Sequence, residues 1–272
     1  MPRRRIAPTP TGLLHAGHAQ TFATAAQNAS SDGLVMRIEY LDGPRCRAAF
    51  VKAAIDDLHW LGIEWTEGPD IGGPHSPYCQ SQRIEWYLEI WKRLEAAGVI
   101  YPSPHSRKDV ADAAVAPHGE GEIFPLSLRP PSWDRAHAPG TVPWRFKVPD
   151  GQTIKFEDAR CGTITRTAGV DFGDFVIWRR DDLPSYDLAV VADDYAMEIQ
   201  EVVRGEDLLT STARQLLIYE ALHWQPPTWC HTPLVCNAQG HRLAKRADGL
   251  SIRELRQAGM SPDQVLAIRQ IP

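Results

Sequence analysis

Two histidines, His15 and His18, close the stretch APTPTGLLHAGH that runs from Ala7 to His18. Imidazoles three residues apart share one face of a helix and can both donate to phosphate oxygens. The residues ahead of them suit the same task. Prolines, Pro8 among them, stiffen the loop, Gly12 lets the backbone approach a ligand, and Gly17 lets a nucleotide lie against the first helical turn. A helix amino terminus at the carboxyl end of a parallel strand attracts anions. Two readings stand at this point: a cradle for nucleotide phosphates, or a proline-rich turn entering a helix with two surface histidines.

These side chains need a frame to hold them. The 272 residues suffice for one large or two modest domains, and 43% hydrophobic with 23% charged residues is ordinary for a globular protein. No apolar run reaches membrane-spanning length, and MPRRR has no apolar segment behind it to make a secretory signal. Five scattered cysteines without a C-x-x-C pair suit free thiols in a reducing cytoplasm better than a disulfide framework. A formal charge of −5 argues against an extended basic groove for nucleic acid, leaving room for a local basic surface only.

The segment from His15 to about Ala29 reads as an alanine-rich helix, and GLVMRIEYLD, Gly33 to Asp42, as a mostly apolar strand. Pro44 suits a first helical turn, after which Phe50, Ala54, Leu58 and Leu61 keep one face apolar. In SQRIEWYLEIWKRLEAAG the stripe Ile84, Tyr87, Leu88, Trp91 and Leu94 predicts a helix that stops near Gly98. Between about Pro102 and Pro149 prolines are frequent, and WRFKV and TIKFED are expected as strands of an inserted module. SYDLAVVADD, from Ser185, is expected to be a buried strand, MEIQEVVRGED a second one, and LLTSTARQLLIYEALHW a helix. Together these predict an α/β fold, a doubly wound, Rossmann-like parallel sheet that carries a smaller α/β insertion.

RIAPTPTGLLHAGH, Arg5 to His18, resembles the opening of the glutamyl-tRNA synthetases, class I enzymes whose H-I-G-H element binds ATP. RIEYLDGPR, from Arg37, is similar to that family's R-I-E-D-T-D-P-x-R, and PSYDLAVVADD, from Pro184, to its P-x-Y-x-x-A-x-V-x-D-D. VVRGEDLLTSTARQ, from Val202, resembles V-x-R-G-x-D-L-L-x-S-T-x-R-Q. PLVCNAQGHRLAKR, Pro233 to Arg246, stands where the second class I element, of the K-M-S-K-S type, is expected. The resemblance implies a class I catalytic domain in two halves, 1–100 and 184–240, an inserted module at 101–183, and an ATP loop with a C-terminal helical segment at 241–272.

It also implies roles. Arg5, Ala7, Thr9, Glu39, Tyr186 and Arg204 would bind L-glutamate. Its amine needs an anion, for which Glu39 is suited, and its carboxylates need cations, for which Arg5 and Arg204 are suited. Tyr186 would form a hydrogen-bonding wall. ATP, arriving with Mg²⁺, would meet Pro8, Gly12, His15, Gly17 and His18 on one side and Arg242, Leu243, Ala244, Lys245 and Arg246 on the other. His15, His18 and Lys245 would be catalytic, supporting the phosphates and neutralising the departing pyrophosphate. Three positions depart from the family pattern: Arg242 replaces a lysine, Ala244 a serine, and Tyr40 the acidic residue after Glu39.

The chain stops at Pro272 without the helical anticodon-binding domain of the longer enzymes. That architecture, with YPSPHSRKD from Tyr101, resembles the truncated paralogues that attach glutamate to the queuosine base of tRNA(Asp). The implied partners are L-glutamate, ATP and tRNA(Asp) carrying queuosine, with no membrane and a cytoplasmic location. Those paralogues often hold zinc in the insertion, yet here Ser103, His105, Phe124 and Leu128 stand at the ligand positions. One histidine cannot supply the four ligands of structural zinc, and the spacing of His118 and His137 suggests nothing in particular. No metal site is expected, and Trp133, Trp144 and Phe146 are candidates for the core of the module. Three other readings stand beside this one: a ligase delivering glutamate to a small molecule or carrier protein, a non-catalytic glutamate or tRNA sensor, and a general H-x-G-H nucleotidyltransferase. The last does not account for Glu39, Tyr186 and Arg204 together.

Overall fold

The computed structural model describes residues 2–27, 29, 33–41, 45–105, 109, 123–133, 138–234, 236–237, 251–268 and 270–271. Its first elements are β1 (Arg4–Ile6), α1 (Ala16–Gln27), β2 (Leu34–Met36), α2 (Ala48–Trp60) and α3 (Ile84–Ala96). Then follow β3 (Ile100–Pro102), β4 (Trp144–Phe146), β5 (Thr153–Asp158), β6 (Gly162–Thr167) and β7 (Phe175–Trp178). The remainder holds α4 (Tyr186–Ala196), β8 (Glu201–Gly205), α5 (Leu209–Ala221), β9 (Thr228–Thr232), β10 (Cys236–Asn237), α6 (Ile252–Gln257), α7 (Pro262–Leu266) and β11 (Gln270–Ile271). The chain forms two compact units: residues 1–83, 196–208 and 227–272 make the first, 84–195 and 209–226 the second.

In the first unit four parallel strands lie in the order β2-β1-β8-β9. Such strands are covered on both faces, which is why RRI, LVM and most of EVVRG are buried. Arg4 registers with Glu201, and Arg204 with His231. Side chains alternate along a strand, so Arg5, Arg204 and His231 share one face while Arg4, Ile6, Glu201, Val203 and Thr232 share the other. The second face is covered by α1, whose Ala19 and Phe22 join Ile6, Met36, Leu58 and Val203 in the core. There the charge of Arg4 is met by Glu201, at 2.5 Å from Nε.

One buried carboxylate in this unit works against stability. Asp57 of α2 is 2% exposed, and its Oδ2 has no hydrogen-bond partner among the described residues. Burial raises its pKa, only partly opposed by the charges of Arg253 and Arg256 on α6. A carboxyl group with a raised folded-state pKa costs stability above that pKa, and the cost disappears as pH falls through it. Asp57→Asn is therefore expected to raise Tm at neutral pH by roughly 2 °C. Thermal melts across pH check this: the gain shrinks toward acid, where Asp57 is itself protonated.

The second unit contains α3, the antiparallel sheet β3-β4-β7, the β5–β6 hairpin, α4 and α5. The predicted strands WRFKV and TIKFED are present as β4 and β5. Trp144 is fully buried and meets Trp91 of α3 edge to face, with ring centroids 4.7 Å apart; Phe146 stacks on Phe175 at 5.2 Å. Trp133 packs, half-buried, against Tyr101 and Phe124. The buried positions of α3 are Tyr87, Ile90, Trp91 and Leu94, so Ile90 takes the place expected for Leu88. Gly98, at φ 72°, ends the helix as expected.

SYDLAVVADD is a helix, not the buried strand that its apolar run suggested. Asp187 to Asp194 are all buried, so α4 is enclosed around its circumference and its apolar run Leu188 to Ala192 shows no amphipathic period. Ser185 caps it, with its hydroxyl accepting from the Leu188 N–H at 3.3 Å. The following strand accordingly begins only at Glu201, after a turn in which Glu198 adopts φ 55°. Among the described residues, no helix is long and apolar enough to cross a membrane.

Candidate functional site

The phosphate-type loop leaves the carboxyl end of β1 and enters α1 within the first unit. Both expected prolines of the loop are buried and lend their carbonyls to neighbouring backbone: Pro8 accepts from Glu39 N–H at 3.0 Å and Pro10 from Arg47 N–H at 3.1 Å. The loop is thus pinned to the segments after β2 and before α2. A Cβ added at Gly12 would meet nothing within 4 Å, so protein does not pack against that side of the loop among the described residues.

The two histidines are tied by their Nδ1 atoms. His18 Nδ1 accepts from the His15 N–H at 3.2 Å, and His15 Nδ1 accepts from the Gly17 N–H at the same distance. A ring nitrogen that accepts cannot carry a proton, so in the neutral rings the proton sits on Nε2. Each Nε2–H is then a donor of fixed tautomer. The rings lie 3.8 Å apart at the amino end of α1, where the helix dipole also favours an anion.

Glu39 is held against the start of the same loop, at Pro8 and Thr9. Arg37, fully buried, donates through Nη2 to Glu39 Oε1 at 3.2 Å, and the Thr9 hydroxyl donates to Oε2 at 3.5 Å. Arg37 and Glu39 are two apart on extended chain and so emerge on the same side. Tyr40, where the family pattern has an acid, donates its hydroxyl to the Cys46 carbonyl at 2.9 Å and ties down the segment before α2.

Arg5 and Arg204 are each 4% exposed and occupy one face of neighbouring strands. Arg5 Nη1 donates to the Val203 carbonyl at 3.2 Å, and Arg204 Nε donates to Nε2 of the fully buried His231 at 3.2 Å. Arg204 lies inside β8, one residue before its end. Its carbonyl accepts from the Thr232 hydroxyl at 3.2 Å, Thr232 meets Thr21 at 3.0 Å, and Thr21 donates to the Gly17 carbonyl at 3.1 Å. This chain joins the arginine strand to the histidine turn.

Of the remaining expected residues, Ala7 is half-buried at the start of the loop and Tyr186, 38% exposed, opens α4 in the second unit. Arg242, Leu243, Ala244, Lys245 and Arg246 lie outside the described residues. Just past them, Ser251 bridges to His15, and the Ile252 N–H donates to the Leu14 carbonyl at 2.8 Å. Ser251 also opens α6 with a capping box to Glu254. The chain therefore returns to the histidine turn directly after the expected second ATP element.

These features sit on a recognisable frame. Residues 2–269 match the family described as tRNA synthetases class I (E and Q), catalytic domain. The chain belongs to this family. Its class I fold and its standing as an ATP-dependent ligase of the synthetase type follow from that membership. The glutamyl-Q tRNA(Asp) synthetase of Symbiobacterium thermophilum is 44% identical over 271 residues, covering 96% of this chain and 83% of that protein. The same-named protein of Nitratidesulfovibrio vulgaris is 41% identical over 268 residues, covering 96% and 82%. A solved glutamate tRNA ligase from Elizabethkingia meningosepticum, in complex with its amino acid, superposes with a TM-score of 0.74 at 27% identity. That match covers 95% of this chain and 53% of the ligase, so the synthetase domain here spans about half its length.

In this synthetase domain, two buried side chains of the first unit escaped sequence reasoning, Arg37 and His231. Arg37 had a visible signal, the R-x-E spacing that puts both groups on one side of a strand. His231 had none, because its contact depends on the register between β8 and β9. In the second unit, Arg145 lies 4.1 Å over the Phe124 ring and donates through Nε to Ser103 Oγ at 3.3 Å. Among the described residues, no group of three or more His, Cys, Asp or Glu could hold a metal ion.

Proposed function

We propose that this class I synthetase domain activates L-glutamate with ATP and transfers it to the queuosine base of tRNA(Asp). The observation that carries the first half is the Glu39 carboxylate, buried against Arg37 and Thr9 beside a loop that ends in two Nε2–H donors. An amino acid can set its ammonium on Glu39 and its carboxylates on Arg5 and Arg204. A glutamate carboxylate oxygen then attacks the α-phosphorus of ATP, and the bond to the bridging oxygen breaks to release pyrophosphate. His15 and His18 stabilise charge gathering on the phosphates from one side, and Lys245 from the other. Mg²⁺ comes as part of the substrate. Little covalent work falls to the protein, so positioning and electrostatics supply the acceleration.

The acceptor is supported by the names of the two relatives above, whose similarity extends over more than four-fifths of their length. In the second step the acceptor hydroxyl attacks the activated carbonyl and AMP leaves. Transfer of labelled glutamate to tRNA(Asp) with queuosine, and to the same tRNA with guanosine at that position, tests this. Only the first is expected to be labelled. Activation without transfer to either tRNA would redirect the reading to a small molecule or carrier protein. A cytoplasmic location is part of the same proposal, because its tRNA substrate is there.

We further infer that the insertion holds no zinc. The ring of Phe124 is occupied by Arg145, which also engages Ser103, and His105 offers a single ligand. Dialysis against a strong chelator is expected to change Tm by less than about 1 °C, since no metal contributes to folding. Metal analysis checks this independently. One zinc per chain, with a large fall in Tm on chelation, would overturn it.

A further inference from the structure

We infer that Arg214, with the Ser211 hydroxyl one helical turn before it, forms an anion site on the second unit that takes a backbone phosphate of the tRNA substrate. This rests on the reading of a tRNA as the acceptor. The stretch STARQ, Ser211–Gln215, is left over once glutamate and ATP have been placed, although it belongs to the VVRGEDLLTSTARQ motif. It lies in the early part of α5 and divides into two pairs of residues three positions apart, each pair sharing a helix face. Thr212 and Gln215 are buried, and Gln215 Nε2 donates to Asp187 Oδ1 at 3.0 Å. Ser211 and Arg214 are half-buried, and neither side chain hydrogen-bonds or ion-pairs with protein among the described residues.

Arg214 Nε is shut off from water without an acceptor, while its terminal nitrogens are not shut off. The guanidinium carbon lies 5.8 Å from the centre of the Phe175 ring, a contact that supports a cation and leaves its charge uncancelled. A buried donor without an acceptor costs stability, so this arrangement works against the fold. Other arginines of the unit are matched: Arg129 is met by Asp174 and Asp150, and Arg179 by Asp181. The β5–β6 hairpin packs against α5, and its Arg166 also has no carboxylate partner, donating only to the Thr165 carbonyl at 2.9 Å. Positive charge is thus left over on adjoining elements.

The donors select the ligand. Helical side chains lean toward the amino terminus, which carries Arg214 over the turn of Ser211. A planar guanidinium beside a hydroxyl suits the oxygens of a phosphate. Arg5, Arg204 and the groups assigned to ATP belong to the first unit, so this cation of the second is left to another substrate. A formal charge of −5 argues against a broad basic groove, and an RNA must then be held by a few local cations such as this one.

The test compares native protein with Arg214→Met, which keeps an unbranched stem against Phe175 without the charge, and with Arg214→Lys, which keeps the charge. Each is read by transfer of labelled glutamate to tRNA(Asp) carrying queuosine, by the salt dependence of tRNA binding, and by ATP–pyrophosphate exchange without tRNA. Arg214→Met should raise KM for the tRNA about tenfold, the loss of one charge-assisted contact. It should also flatten the slope of log affinity against log salt by about one, because one phosphate contact is gone. Arg214→Lys should stay within about threefold of native with the native slope. KM for ATP and for glutamate in exchange should stay within about twofold in both. Arg214→Gln repeats the comparison with a neutral polar side chain if the Met variant does not fold. A neutral variant with native KM for the tRNA and native slope would overturn the inference and leave Arg214 a packing residue. A rise in KM for ATP, with tRNA binding unchanged, would assign the anion to the nucleotide and overturn it equally. The reading of the acceptor fails separately, before any variant is made, if native protein supports exchange yet neither binds nor labels this tRNA.

Discussion

His18→Ala is expected to slow glutamate-dependent ATP–pyrophosphate exchange by about 100- to 1000-fold in kcat, the usual cost of removing one preorganised donor to a developing charge. The argument runs through the tautomer. His18 Nδ1 is committed to the His15 N–H, so in the neutral ring Nε2 carries the proton, and in the proposed site that N–H is the donor to a phosphate oxygen. The phosphate oxygens gain charge as pyrophosphate leaves, so this contact strengthens in the transition state and its loss appears in kcat rather than KM. The His15 N–H also loses its acceptor, which should cost about 1 kcal/mol of stability, too little to unfold the unit. Steady-state kinetics with a thermal melt on the same preparation check both. A variant that loses ATP affinity while keeping kcat would show His18 to be a ground-state binding residue.

Asp174→Ala is expected to destabilise the second unit by about 3–5 kcal/mol, the cost of breaking a buried ionic network from one side. Asp174 Oδ2 accepts from the Tyr101 hydroxyl at 2.6 Å and Arg129 Nε at 2.7 Å, while Oδ1 accepts from Arg129 Nη2 at 2.6 Å and the Val148 N–H at 2.8 Å. Its carbonyl takes a further bond from Arg145 at 3.1 Å. One carboxylate thus ties β3, the segment after β4 and the segment before β7 to Arg129. Burial and the hydrogen bond to Asp174 push the Tyr101 hydroxyl far above its ordinary pKa, and the bond to Asp174 raises Arg129 as well. Removing the acceptor strands a tyrosine hydroxyl and a backbone N–H, and leaves the Arg129 guanidinium with only Asp150 and the Val148 carbonyl. Urea unfolding followed by tryptophan fluorescence reads this unit well, since Trp91, Trp144 and Trp178 are buried in it. A loss under about 1 kcal/mol would mean that water takes over these contacts and that the network does not hold the module.

Both effects draw on residues of very different legibility. The histidine turn was readable because everything it needs is local: proline, glycine and two histidines within one loop and one helical turn. Glu39 was singled out by family likeness, while its partner Arg37 was missed although the two-residue repeat of extended chain signals it. Asp174 was invisible, because its donors come from residues between 26 and 73 positions away. His231 was missed for the same reason, standing 27 positions from Arg204 and meeting it through strand register. The misreading of α4 had another cause. A helix buried on every side loses the period that distinguishes it from a strand, and only the Ser185 cap and the length of the run remained as signals. The expected second ATP element, Arg242 to Arg246, falls outside the described residues, and its role rests on its motif.

The central claim is that the first unit recognises glutamate through Glu39 and the two strand arginines and activates it on ATP. Exchange of labelled pyrophosphate into ATP, measured without tRNA, tests it most directly. The account predicts exchange that requires L-glutamate, is not supported by glutamine or aspartate, and is lost in Glu39→Gln. No exchange with glutamate, or equal exchange with glutamine, would contradict it.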